Sequence, residues 1–291
     1  MGELVFRGRK IFRKTNKSFY AVGYNRNLVL EQKSFFEKNC SPSTSIHAQP
    51  KTVYFIQGSE METLLKPDDF VGISFFVATM AMMASAVFFF LERDSVAGKW
   101  KTSVTVAGLI TGIAAVHYFY MRDVWVTTGQ SPTVFRYVDW LLTVPLQIVE
   151  FYLILAAIAA VPIILFWRLL VYSLIMLIFG YLGEAGFVDV TLGFILGMVG
   201  WLLILYEIFF GEASQINANS ANTSCQKAFH ALRLIVTVGW AIYPIGYFWG
   251  YMLDGANVEA VNIIYNYADL INKMAFGLVI WAAAKQDSKV E

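Results

Sequence analysis

The chain has 291 residues, of which 57% are hydrophobic and 15% charged, with a formal net charge of +1. Soluble domains carry about a quarter of their residues as charges, so this composition excludes an ordinary water-soluble globule and points to a membrane protein. The near-zero charge gives no basis for nucleic-acid binding, and the sequence holds no Walker A loop, no zinc-type Cys/His spacing and no GxSxG elbow.

Residues 1–66 stand apart, with eleven Lys/Arg against five acidic residues and no apolar run long enough to cross a membrane. They read as an N-terminal tail or presequence, extracellular or cleaved. Cys40 lies in this tail and Cys225 lies between two apolar stretches, so both cysteines are expected to remain free.

From Asp68 onward seven helices are predicted, over about 69–92, 98–122, 132–157, 163–184, 188–212, 224–251 and 257–284. Turn formers and charges mark the breaks at ERDSVAGK, RDVWVTTGQSP, Pro162, GEAG, the Asn/Ser-rich stretch 213–224 and LDGANVE. Ser131-Pro132 predicts an N-cap followed by proline at the first helical position. Short connections predict an antiparallel all-α bundle with a helical domain over 67–285 and a C-terminal tail at 286–291. Gly193 and Gly197 on the fifth helix form a small-xxx-small pair that permits close packing.

Orientation follows from Lys and Arg beside short loops. Arg93, Lys99, Lys101, Lys227, Arg233, Lys285 and Lys289 fall on one side, and Arg122 is the main cation opposite. The C-terminus is therefore expected in the cytoplasm and the N-terminus outside, in a plasma or inner membrane; translocated segments longer than about 60 residues are largely exempt from the rule.

Ionisable residues inside the spans are the informative ones, because each costs at least about 2.5 kcal/mol at the bilayer centre. They are Arg136, Asp139 and Glu150 on the third helix, and Asp269 and Lys273 on the seventh. An eleven-residue spacing puts Asp139 and Glu150 on one face about 16 Å apart, with Thr143 and Gln147 on the same stripe. Asp269 and Lys273 are an i,i+4 pair. A lysine kept out of water is available as an amine nucleophile toward a carbonyl compound, and the product is a Schiff base whose charge needs an anion such as Asp139 or Asp269. An ion-pair network that only joins helices is the plainer alternative. Trp140, Trp240, Tyr243 and Tyr265 could wall a long flat ligand, although each alone fits ordinary packing. Pro145 and Pro244 lie within spans and free a backbone carbonyl each.

The stretches RYVDWLLTVPLQIVEFYLIL (136–155), GWAIYPIGYF (239–248) and NIIYNYADLINKMAFGLVIW (262–281), with KWKTS, HYFYMRDVW and GYLGEAG, resemble the proteorhodopsins, a group of microbial rhodopsins. The resemblance runs from about Asp68 to Ala284 and implies a seven-transmembrane-helix, light-driven outward proton pump carrying all-trans retinal as a Schiff base on Lys273. It implies that Asp139 is counterion and proton acceptor, Asp269 the second counterion, Glu150 the proton donor, and Arg136 a stabiliser of the ionised counterions. His117 matches the histidine that hydrogen-bonds the acceptor aspartate; taken alone it would be a satisfied core histidine. Trp140, Thr143, Trp240, Tyr243, Pro244 and Tyr265 map to the retinal pocket. Asp, Thr and Glu at 139, 143 and 150 match the proton-pump pattern rather than that of sodium or chloride pumps, and no metal is implied. Gln147 stands where glutamine marks blue-absorbing pigments.

Ring-shaped homo-oligomers, pentamers or hexamers, are a further implication, although Phe76 replaces the tryptophan that commonly reaches a neighbouring protomer. The rival reading is a photosensory rhodopsin signalling to a transducer, against which Glu150 argues, because a sensor gains little from an internal proton donor. Glu184 is a candidate exit residue, with a solvated loop carboxylate as the plainer expectation.

Overall fold

A computed structural model describes residues 65–253 and 257–289. The tail at 1–64 and Cys40 lie outside the described residues. Every regular element among those described is helical: α1 (Phe70–Glu92), α2 (Lys101–Thr128), α3 (Thr133–Ala156), α4 (Ile163–Glu184), α5 (Val190–Phe209), a short α6 (Glu212–Ser220), α7 (Thr223–Met252) and α8 (Val258–Asp287).

Four starts are explained by side-chain caps. Asp69, Asp189, Asn222 and Asn257 each accept the backbone N–H three residues on, at 2.8, 3.0, 3.0 and 3.0 Å. Asp69 also accepts from Trp125 Nε1 at 3.0 Å, which ties the start of α1 to the end of α2. α2 ends at Gly129, whose φ of 65° closes the helix in the left-handed region that favours glycine.

Three predicted boundaries differ. α2 continues to Thr128, since RDVWV packs as a further turn with Arg122 buried. The cap expected at Ser131-Pro132 is absent: Pro132 itself occupies the capping position, and the Ser131 hydroxyl donates to Asn262 Oδ1 at 3.3 Å. Residues 213–220 are helical rather than loop, because Glu207 Oε1 accepts the Ala213 N–H at 3.1 Å and anchors the start of α6.

The long helices form a closed ring in which α1 packs on α2, α2 on α3, α3 on α4, α4 on α5, and α8 returns to α1, α2 and α7. Of the apolar stretch of α3, 67% is buried, against 22% for α4, so α3 is the inner helix of the two and turns Arg136, Asp139 and Glu150 inward. Gly193 and Gly200 face the α4 backbone so closely that a Cβ would lie 2.6 Å from Gly183 Cα or 2.5 Å from Met176 N, and no larger residue fits there.

The outer surface is apolar: Phe70, Leu91, Val116, Ile163, Trp167 and Phe210 are exposed, a pattern that needs hydrocarbon rather than water around it. Among the described residues six helices are long and apolar enough to cross a membrane. α8 is long enough but less apolar, because it carries Asn262, Asn266, Asp269, Asn272 and Lys273 toward the interior.

Candidate functional site

The buried charges converge where α3 and α8 meet. Lys273 Nζ donates to Asp139 Oδ2 at 2.8 Å and to Asp269 Oδ2 at 2.6 Å, and all three side chains are buried. Two carboxylates around one ammonium leave a negative excess, which Arg136, also buried, offsets.

The two aspartates are held differently. Asp269 accepts from Tyr243 at 2.6 Å, from Tyr118 at 2.8 Å and from Trp140 Nε1 at 3.2 Å, besides Lys273. Asp139 Oδ1 has no hydrogen-bond partner, and the Thr143 hydroxyl donates to the Asp139 backbone carbonyl at 2.9 Å instead of to the carboxylate. A carboxylate saturated with donors is fixed as an anion, whereas one with a free oxygen keeps room for a proton.

Two expected contacts take another form. His117 Nδ1 lies 3.8 Å from Asp139 Oδ1, beyond hydrogen-bond reach, because its own backbone offers Ile113 O at 2.9 Å. Arg136 makes no hydrogen bond to either aspartate. Its guanidinium donates to Asn262 at 2.9 Å, to Asn266 at 3.1 and 3.2 Å and to Tyr118 Oη at 3.5 Å, and lies over the Tyr265 ring at 5.3 Å. Its link to Asp269 runs through Tyr118.

Beside this cluster is a cavity with about 780 Å³ of space free of protein atoms, part of it open. Lys273, Asp269, Trp140, Gln147, Trp240, Tyr243, Pro244 and Tyr265 line it, with Met176, Phe194 and Trp201 completing an apolar wall. Thr143 is buried next to Asp139 but does not line this space. The apolar, aromatic lining with polar groups gathered at the Lys273 end suits an organic ligand. Glu184 also lines the cavity and accepts from Tyr137 Oη at 2.9 Å, so it is a held carboxylate rather than a solvated loop residue.

Glu150 lies farther along α3, fully buried, with neither carboxyl oxygen hydrogen-bonded. Phe151 beside it meets Phe229 and Phe276 at ring separations of 5.1 and 6.3 Å. Tyr118, Asn262, Asn266 and Asn272 are site residues the sequence did not single out; the asparagine spacing 262, 266 on the lysine's helix is the signal that could have found two of them.

Residues 69–286 match the family described as bacteriorhodopsin-like protein. A blue-light absorbing proteorhodopsin from Gamma-proteobacterium Hot 75m4 is 55% identical over 222 residues, 76% of this chain and 88% of that protein. A green-light absorbing proteorhodopsin from Gamma-proteobacterium EBAC31A08 is 54% identical over 225 residues, 77% of this chain and 90% of that one. The crystal structure of the blue light-absorbing proteorhodopsin from Med12 superposes with a TM-score of 0.67 at 59% identity, covering 75% of this chain and all of that one. The chain is an integral membrane protein that belongs to the bacteriorhodopsin-like family and, within it, to the proteorhodopsins.

Proposed function

We propose that this protein is a light-driven outward proton pump that holds retinal covalently through Lys273 as a Schiff base and absorbs in the blue. The observation that carries the reading is the Lys273 nitrogen held between Asp139 and Asp269 at 2.8 and 2.6 Å, beside an apolar cavity, with a third buried carboxyl, Glu150, on the same helix. The residues fit the chromophore: aromatic and apolar groups wall the space, and the Gln147 amide nitrogen is buried without a partner.

Bound retinal supplies light absorption and an isomerisation that changes which residues the Lys273 nitrogen faces. Asp139, with a carboxylate oxygen still free, accepts the proton held at Lys273 Nζ. Asp269 stays anionic under its donors and keeps the lysine end neutralised. Glu150, fully buried, holds a proton until the Lys273 nitrogen needs one and then supplies it. Arg136 acts on the counterions through Tyr118, and His117 is placed to meet Asp139 once the acceptor is protonated. Glu184 is the candidate exit carboxyl.

The basic residues of the connections favour a C-terminus in the cytoplasm and an N-terminal tail outside, with Glu150 on the cytoplasmic side of Lys273. The helical domain spans 67–285 and assembles as a ring-shaped homo-oligomer. Illumination of retinal-supplied cells in unbuffered medium tests pumping and direction together: acidification abolished by a protonophore is expected, and alkalinisation or an unchanged pH would overturn the reading. Asp139→Asn should abolish the signal. A photosensor would show neither acidification nor dependence on Glu150.

A further inference from the structure

α7 is not a regular helix where it meets the site. Over Ile235–Gly239 it widens to i→i+5 bonding, with Trp240 N donating to Ile235 O at 3.0 Å. Such bulges leave backbone groups without their usual partners. Gly239 O is one of them: its ordinary donor, Tyr243 N, turns to Trp240 O at 3.1 Å, and the next residue is Pro244, which has no N–H to offer.

Asn272 fills that gap. Its Nδ2 donates to Gly239 O at 3.0 Å, and the same amide nitrogen lies 3.4 Å from Tyr243 Oη. That hydroxyl donates onward to Asp269 Oδ1 at 2.6 Å. A Cβ at Gly239 would sit 2.2 Å from Asn272 Oδ1, so any larger residue there displaces the amide. Asn272 precedes Lys273 in the chain and is buried. The bulge has a second outside donor, Trp201 Nε1, which reaches Val236 O at 3.0 Å and makes no bond toward the aspartates.

We propose that Asn272 is a positioning residue that couples the bulge of α7 to the counterion Asp269. Its two amide hydrogens are shared between the carbonyl freed by the bulge and the tyrosine that fixes the anion. A displacement of α7 at Gly239 therefore alters the hydrogen bonding of Asp269, and through it the field at the Lys273 nitrogen. The inference rests on the pump reading above.

The test uses full-length wild type, Asn272→Ala and Gly239→Ala, supplied with retinal, read by the dark absorption maximum and by light-driven acidification per unit of pigment. Both variants break the Asn272–Gly239 contact from opposite helices, Asn272→Ala losing the bond to Tyr243 Oη as well, so both maxima are expected to move in the same direction and acidification per pigment to fall at least about fivefold, the worth of one hydrogen bond. Should Asn272→Ala form no pigment, Gly239→Ala reads the same contact from α7. A variant that forms less pigment but keeps the wild-type maximum and acidification per pigment assigns Asn272 a purely structural role and overturns the proposal; maxima that move in opposite directions overturn it as well. Failure of the wild type itself to colour or acidify would count against the pump reading, not against this coupling.

Discussion

The two ends of α3 carry one carboxylate each and treat them in opposite ways. At the Asp139 end, Lys273, Asp269, Arg136, Tyr118, Tyr243, Asn262 and Asn266 form a connected polar network around the charges. At the Glu150 end the carboxyl is fully buried, with the Ser103 hydroxyl as its polar neighbour and no charged group paired with it. The first environment surrounds its charged groups with hydrogen-bond partners and the second does not, a contrast that fits the acceptor and donor roles proposed above for two residues about three turns apart on one helix.

The largest effect should come from removing the cation at the network's centre. Lys273→Ala leaves Asp139 and Asp269 facing each other with no ammonium between them, and breaking a buried pair in this way costs about 3–5 kcal/mol. The variant should bind no retinal and unfold at a markedly lower temperature in detergent. Wild-type thermal stability in the colourless variant would show that the network is less tightly coupled than its distances imply.

At the other end the expected effects separate. Glu150→Gln is nearly isosteric and leaves a polar group beside Ser103, so stability should change by less than about 1 kcal/mol, whereas loss of the proton donor proposed above slows the step it serves by about a hundredfold. Flash photolysis would show this as a delayed return of the dark state, with normal pigment yield. A variant that loses its pigment, or recovers at the wild-type rate, would remove the contrast between the two ends.

Tyr118→Phe probes how far the network depends on a single link. The hydroxyl bonds Asp269 and is the route by which Arg136 reaches that carboxylate, so its loss leaves a buried acceptor one donor short. A cost of about 1–3 kcal/mol is expected, read as a lower bleaching temperature in the dark.

The two ends were also unequally legible in the sequence. Lys273, Asp139, Asp269 and Glu150 could be read because a charge in an apolar span is costly and therefore rare. The network that holds them could not, since Tyr118 meets Asp269 across 151 residues of chain and Arg136 meets Asn262 across 126, and neither tyrosine nor asparagine is unusual enough in a helix to announce a partner. His117 shows how local bonding escapes the sequence. The residue lies beside Asp139 as expected, yet the carbonyl of Ile113, one turn back on its own helix, takes the ring nitrogen. Helix limits followed from apolar length to within a few residues except where local bonding intervened: the anchoring of Ala213 by Glu207 makes α6 helical although its Asn/Ser-rich sequence favours a loop.

Gln147 lies between the two ends, and its substitution should have the smallest effect on the fold. The amide nitrogen is buried with no partner and the side chain lines the cavity, so exchange for leucine removes an unsatisfied group at nearly constant volume. Stability should stay within about 1 kcal/mol of wild type or rise slightly. Colour is the sensitive measurement. With retinal held on Lys273 as proposed, excitation would move positive charge away from that end of the cavity, so an amide dipole that favours the ground-state distribution would widen the energy gap and its removal would narrow it. Gln147→Leu should therefore absorb at longer wavelength than wild type with an unchanged unfolding temperature. An absorption maximum that stays in place would assign the setting of the colour to the charged cluster of Asp139 and Asp269 rather than to the polar stripe that joins the two carboxylates of α3.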